Sequence, residues 1–115
     1  MTKTIRNLIA AMLLIGASHG AMADFQTGNQ LLTKCESEIY FEQGACHGYL
    51  IATADTWDTA ALWQIFINHI CMPKSVTGGQ LQKVWIKYAN EHPERLHLGA
   101  AGLVVNAYGQ AFPCG

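Results

Sequence analysis

CMPKSVTGGQLQKVWIKYANEHPERLHLGAAGLVVNAYGQAFPC, residues 71–114, decides the fold of this chain. It reads as two helices folded back on each other, with a cysteine at each end of the hairpin. Thr77 marks the start of the first, with Gln80 three residues on as its reciprocal partner in a capping box. Val76 and Leu81 occupy the two positions of a hydrophobic staple. Leu81, Val84, Trp85 and Tyr88 recur at helical spacing and predict the buried face. Lys83 and Lys87 lie off that stripe, towards the helix end where positive charge suits the dipole. Asn90-Glu91-His92 closes the helix, and Pro93 is suited to open the next, where its missing N–H costs nothing. In that last helix Leu98, Ala101, Val105, Tyr108 and Phe112 form one apolar stripe. Ala100, Leu103, Ala107 and Ala111 form a second. Gly99, Gly102 and Gly109 lower helix propensity but admit a close neighbour. A helix apolar on two sides in so small a protein predicts either a central position or a dimer interface.

Upstream, Met72-Pro73-Lys74-Ser75 breaks a preceding helix, because the residue before proline is pushed out of the α region. That helix is expected over residues 48–70, with Trp57, Leu62, Ile65 and Phe66 available for burial. Residues 36–45 hold Gly44 and several acidic side chains and read as a connection. A short first helix is expected over 30–37, after a polar lead-in over 24–29. No strand-like alternation occurs. The expected fold class is all-α, a small bundle of about four helices stapled by two disulfides.

The first residues bear on the compartment. Lys3 and Arg6 precede the apolar run Leu8-Ile9-Ala10-Ala11-Met12-Leu13-Leu14-Ile15, and Ala21-Met22-Ala23 follows. This is the pattern of a secretory signal peptide over residues 1–23, cleaved after Ala23. The run is about half of the ~20 residues that span a bilayer, so no membrane insertion is expected. Loss of Lys3 and Arg6 takes seven basic residues to five against eight acidic ones, a net of −3 for residues 24–115. That balance disfavours nucleic acid and anionic membrane surfaces as partners.

All four cysteines, Cys35, Cys46, Cys71 and Cys114, lie in residues 24–115. An even count in an exported chain predicts two disulfides, with three possible pairings. An antiparallel hairpin brings Cys71 to Cys114 at its open end, which leaves Cys35 for Cys46 across a short loop. Metal binding is the rival use, since His47 follows Cys46 and His69 lies two before Cys71. The C-x-x-C and H-x-x-x-H spacings of structural zinc are missing, so no metal and no cofactor is expected. Catalysis is not expected either. His47, His69, His92 and His97 supply possible bases, and Asp55 and Asp58 possible orienting carboxylates. A cysteine nucleophile, however, needs a free thiolate, and Ser37 and Ser75 stand in no nucleophile-elbow context.

The ordered set Leu31-Leu32-x-x-Cys35, Cys46-x-Gly48-Tyr49-Leu50 with Asp55, Cys71-x-Pro73, Val76-Thr77, Gln80-Leu81, His92-Pro93-Glu94-Arg95, Ala100-Ala101, Leu103-Val104 and Ala111-Phe112-Pro113-Cys114 resembles the Rap/Tai family of periplasmic immunity proteins. These protect bacteria against peptidoglycan amidases delivered by type VI secretion. The chain departs from the family pattern at Lys74-Ser75 and Ala52-Thr53. The resemblance implies a helical, disulfide-bonded protein of the periplasm, a homodimer in many relatives, that blocks a Cys-His amidase by occupying its cleft. The loop that enters the cleft in such relatives corresponds here to Asn90, Glu91, His92, Pro93, Glu94 and Arg95. His92 and Arg95 are the first candidates for contact, and Lys87, Asn90 and Leu96 are candidates for toxin specificity. The alternative is an exported helical chaperone or general protein-binding module without toxin specificity.

Overall fold

The computed structural model describes residues 25–115. The expected signal peptide falls outside them. Four α-helices follow in order: α1 (Gly28–Cys35), α2 (Tyr40–Leu62), α3 (Gly78–Glu91) and α4 (Ala100–Ala111), with a 3-10 turn (Pro93–Arg95) between the last two. Among the described residues the only extended pairings are isolated bridges, Thr27 with Gly99 and Ile70 with Pro113. The fold is the all-α bundle the sequence predicts.

Two of the helices begin with the same device. The Thr77 hydroxyl accepts from the Gln80 N–H at 3.2 Å, and the Gln80 side chain accepts from the Thr77 N–H at 2.8 Å. Thr27 and Gln30 repeat this at the start of α1. Such a box satisfies two backbone donors that helix geometry leaves without partners.

Every helix contributes to one core. Leu31 from α1, Cys46 and Leu50 from α2, Trp85 from α3, and Val104 and Tyr108 from α4 are fully buried, joined by Ile70 from the α2–α3 connection. Each large apolar side chain so buried stabilises the fold by about 1.5–3 kcal/mol. Tyr108 also ties α4 to α2, its hydroxyl donating to the Leu50 carbonyl at 2.7 Å. Burial raises the Tyr108 pKa above its ordinary value, so the fold favours the neutral phenol. That contribution holds in full below the usual tyrosine pKa of about 10 and is lost as pH rises beyond it. The Trp85 indole N–H is buried without a hydrogen-bond partner among the described residues.

Both disulfides pair as the hairpin argument predicts, Cys35 with Cys46 and Cys71 with Cys114. The first is buried and fastens the end of α1 to α2. The second is exposed and joins the segment after α2 to the segment after α4.

Several element boundaries differ from expectation. The connection expected over 36–45 shrinks to four residues, because α2 already starts at Tyr40 and ends at Leu62. No side chain caps its start at Ile39, so the sequence carries no signal there. Its end is set by Gln64, which takes φ 55° without glycine or proline to announce the turn. Leu62 and Ile65, expected to be buried, are exposed, and Phe66 and Trp57 are only half-buried. Pro93 opens the 3-10 turn and not α4. The core side of α4 is mainly the second stripe, with Ala100, Leu103 and Ala107 buried beside Val104 and Tyr108, whereas Leu98 and Ala101 of the first stripe face outward.

Candidate functional site

The α3–α4 connection is fixed from within by α3 itself. The buried ring of Tyr88 stacks on His92 with centroids 4.3 Å apart and planes 25° from parallel. His92 Nδ1 lies 2.9 Å from the Tyr88 carbonyl. A carbonyl only accepts, so Nδ1 is the donor in that contact. Arg95 reaches back over the same tyrosine, Nη1 lying 3.5 Å from its hydroxyl. Arg95 N–H donates to the His92 carbonyl at 3.0 Å and Leu98 N–H to the Arg95 carbonyl at 2.9 Å, which winds residues 92–98 into successive tight turns.

The far end of the connection is fixed by the start of α1. Asn29 N–H donates to the Leu96 carbonyl at 2.8 Å, Gly28 N–H to the Leu98 carbonyl at 2.9 Å, and Ala100 N–H to the Gln26 carbonyl at 2.8 Å. The approach is so close that a Cβ on Gly28 would stand 2.6 Å from Leu103 Cδ1 and 3.1 Å from Leu96 Cα. Leu96 itself is buried. A segment anchored by its own hydrogen bonds at both ends loses little conformational freedom when it meets a partner.

What remains outward is short and polar. Asn90, Glu91, Pro93, Glu94 and Arg95 are exposed, while His92 is half-buried. Glu91 pairs with Lys87 at 3.3 Å, and Glu94 lies 3.8 Å from Arg95 Nε. Such exposed pairs contribute little to stability. His92 is held against Tyr88, and Pro93, Glu94 and Arg95 are the exposed residues beside it. Leu96 faces the core and is not available to a partner, whereas Lys87 and Asn90 are exposed. Residues 26–29, expected only as part of a polar lead-in, hold the far end of the turn. Thr27 and Gln30 repeat the capping-box spacing of Thr77 and Gln80, so the start of α1 at least was readable.

Of the candidate bases, His47 and His69 make contacts far from the turn. His47 Nε2 lies 2.6 Å from Gln82 Oε1, and His69 meets the edge of Trp57 at a centroid distance of 5.2 Å. Among the described residues all cysteines are in disulfides, and no group of three histidine, cysteine or acidic side chains is placed to hold a metal. No described helix is long and apolar enough to cross a membrane. The model of the Rap1a immunity proteins matches residues 27–114, from the cap of α1 to the last cysteine. No curated protein is significantly similar to the chain.

Proposed function

Because the chain belongs to the Rap1a immunity protein family, we propose that the secreted effector it neutralises is a peptidoglycan amidase of type VI secretion. In this reading Pro93, Glu94 and Arg95, flanked by Asn90, Glu91 and His92, enter the amidase active-site cleft and exclude its substrate. The observation that carries the reading is the turn itself: an exposed polar edge on a segment hydrogen-bonded at both ends. A cleft built for a peptide is suited to such an edge, and a pre-ordered edge binds with a smaller entropic cost than a flexible loop. The protein contributes no bond-making group. It inhibits by occupancy.

The periplasm is the compartment in which such an amidase meets its substrate and in which disulfides persist. Export would use residues 1–23, removed after Ala23. The test is a titration of the oxidised protein against the Cys-His amidase encoded nearest its gene, following peptidoglycan hydrolysis. Stoichiometric inhibition that is lost on Pro93→Gly with Arg95→Ala is expected. Inhibition that survives this pair would move the contact surface elsewhere. No inhibition, together with binding of many unfolded chains at low pH, would replace the reading with a chaperone.

A further inference from the structure

The two disulfides lie in opposite surroundings. Cys35 and Cys46 are 4% and 0% exposed, so a thiol reaches their sulfurs only when the core opens. Cys71 and Cys114 are both exposed, on segments that belong to no helix. Thiol–disulfide exchange begins when a thiolate meets one sulfur of the bond, and access therefore governs its rate. In the folded chain that access is given to one bond and denied to the other.

The charge around the exposed bond suits this chemistry. Residues 66–76 and 109–115 contain no Asp or Glu, and Lys74 follows Cys71 within one short stretch. Pro73 and Phe112, close to the two cysteines, line a hollow of about 330 Å³ that also holds Lys83 and no acidic side chain. Nearby positive charge stabilises both an attacking and a leaving thiolate. The fold also keeps the opened thiols together. Cys71 N–H donates to the Phe112 carbonyl at 2.8 Å and Cys114 N–H to the His69 carbonyl at 3.3 Å. Neither bond involves a sulfur, so both can outlast reduction. They hold the two Cα atoms, 4.9 Å apart, within the range that a disulfide bridges. Closure is then intramolecular and favoured by proximity.

We propose that Cys71–Cys114 is a reversible exchange site for a protein dithiol of the C-x-x-C type, and that Cys35–Cys46 is closed to the same partner. One thiolate of the dithiol attacks a sulfur of the clasp. A mixed disulfide forms, the Cys71–Cys114 bond breaks, and the other cysteine leaves as a thiolate that takes a proton from water. The second thiol of the dithiol, also as thiolate, attacks the mixed disulfide and releases the remaining cysteine, which is protonated in turn. The chain gains two electrons and two protons, and the dithiol, having given up as many, becomes a disulfide. An oxidised partner of higher potential runs the sequence backwards. The buried disulfide and the shared core keep the opened form folded. The inference is independent of the effector reading, because the clasp and the 90–95 turn share no residue and no hydrogen bond.

The experiment exposes the oxidised protein, without denaturant, to thioredoxin kept reduced by its own reductase, and in parallel to dithiothreitol. Samples are alkylated over time and the labelled cysteines located by peptide mass spectrometry. With both reductants a species labelled at Cys71 and Cys114 alone is expected. It should form roughly tenfold or more faster than any label at Cys35 and Cys46, which wait for the core to open. Its helical circular dichroism should be kept, and amide exchange should quicken at Cys71 and Cys114 but not at Arg95 or Leu98. Oxidised glutathione should restore the bond. Labelling of all four cysteines together, or of Cys35 and Cys46 first, would overturn the proposal. So would loss of the helical spectrum on opening, or a clasp that dithiothreitol reduces and thioredoxin does not.

Discussion

The connections on either side of α3 serve the same topological purpose with opposite chemistry. The one after α2, residues 63–77, is long, carries Trp63, Ile65 and Ile67 into solvent, and is fastened covalently through Cys71–Cys114. Backbone bonds support that clasp: Cys71 N–H donates to the Phe112 carbonyl at 2.8 Å and Cys114 N–H to the His69 carbonyl at 3.3 Å. The one after α3, residues 92–99, is short, polar outside, and held by noncovalent contacts alone, to Tyr88 on one side and to residues 26–29 on the other. The polar connection is thus specified bond by bond along its length, whereas the apolar one is fastened mainly around the Cys71–Cys114 clasp.

The covalent half of this contrast predicts the largest effect. Cys71→Ser with Cys114→Ser frees a loop closed across 43 residues, and the chain-entropy model puts the loss at about 4 kcal/mol. Urea unfolding of the oxidised protein and the double variant measures it. A loss under about 1 kcal/mol would mean that backbone hydrogen bonds already hold the clasp, and the contrast between the two connections would collapse.

The noncovalent half is tested next by Gly28→Ala. The added carbon must displace Leu103 or the backbone at Leu96, and overpacking of this kind costs about 1–3 kcal/mol. Because Asn29 and Gly28 donate across that contact, their amide exchange should accelerate more than exchange at Leu50 or Val104. Uniform acceleration would show that the start of α1 is ordinary core and no special anchor of the turn.

A closer pairing sets Asn68→Ala against His92→Ala. Asn68 Oδ1 accepts from Trp57 Nε1 at 2.9 Å and from the Ile70 N–H at 3.0 Å, so its loss leaves two donors unpaired. His92 gives up one hydrogen bond and one stacked ring. Both should cost about 1–2 kcal/mol, but only His92→Ala should also weaken effector inhibition. Equal effects on inhibition would mean that the two connections act as one surface.

How much of this was legible depends on whether a signal is local. The Thr77–Gln80 box, the Trp85–Tyr88 stripe and the pairing of cysteines across a hairpin all rest on neighbours in sequence or on hairpin closure, and each is found as predicted. The start of α2 at Tyr40 has no capping side chain, and its end at a left-handed Gln64 has no glycine, so local patterning could not place either. Pro93 reads as the start of α4 on local grounds. The long-range bonds between residues 26–29 and 96–100 instead hold that stretch as a tight turn and delay the helix to Ala100. The assignment of Leu96 to a specificity role failed for the same reason, since its burial under α1 depends on partners almost seventy positions away. The two apolar stripes of α4 were readable; which of them faces the core was not.

The smallest expected change in stability separates shape from contact at the turn. Glu94 is exposed, and its approach to Arg95 at 3.8 Å joins two solvated side chains, so Glu94→Ala should alter unfolding by less than about 0.5 kcal/mol. The backbone bonds from Arg95 to His92 and from Leu98 to Arg95 do not involve the Glu94 side chain, so the turn keeps its form. Any loss of inhibition in Glu94→Ala therefore reports a contact with the effector, whereas loss in His92→Ala reports a loosened turn. Inhibition unchanged by Glu94→Ala but abolished by His92→Ala would assign recognition to the shape of the turn and to Pro93 and Arg95. Loss in both, with stability intact in the first alone, would make the carboxylate itself part of the contact.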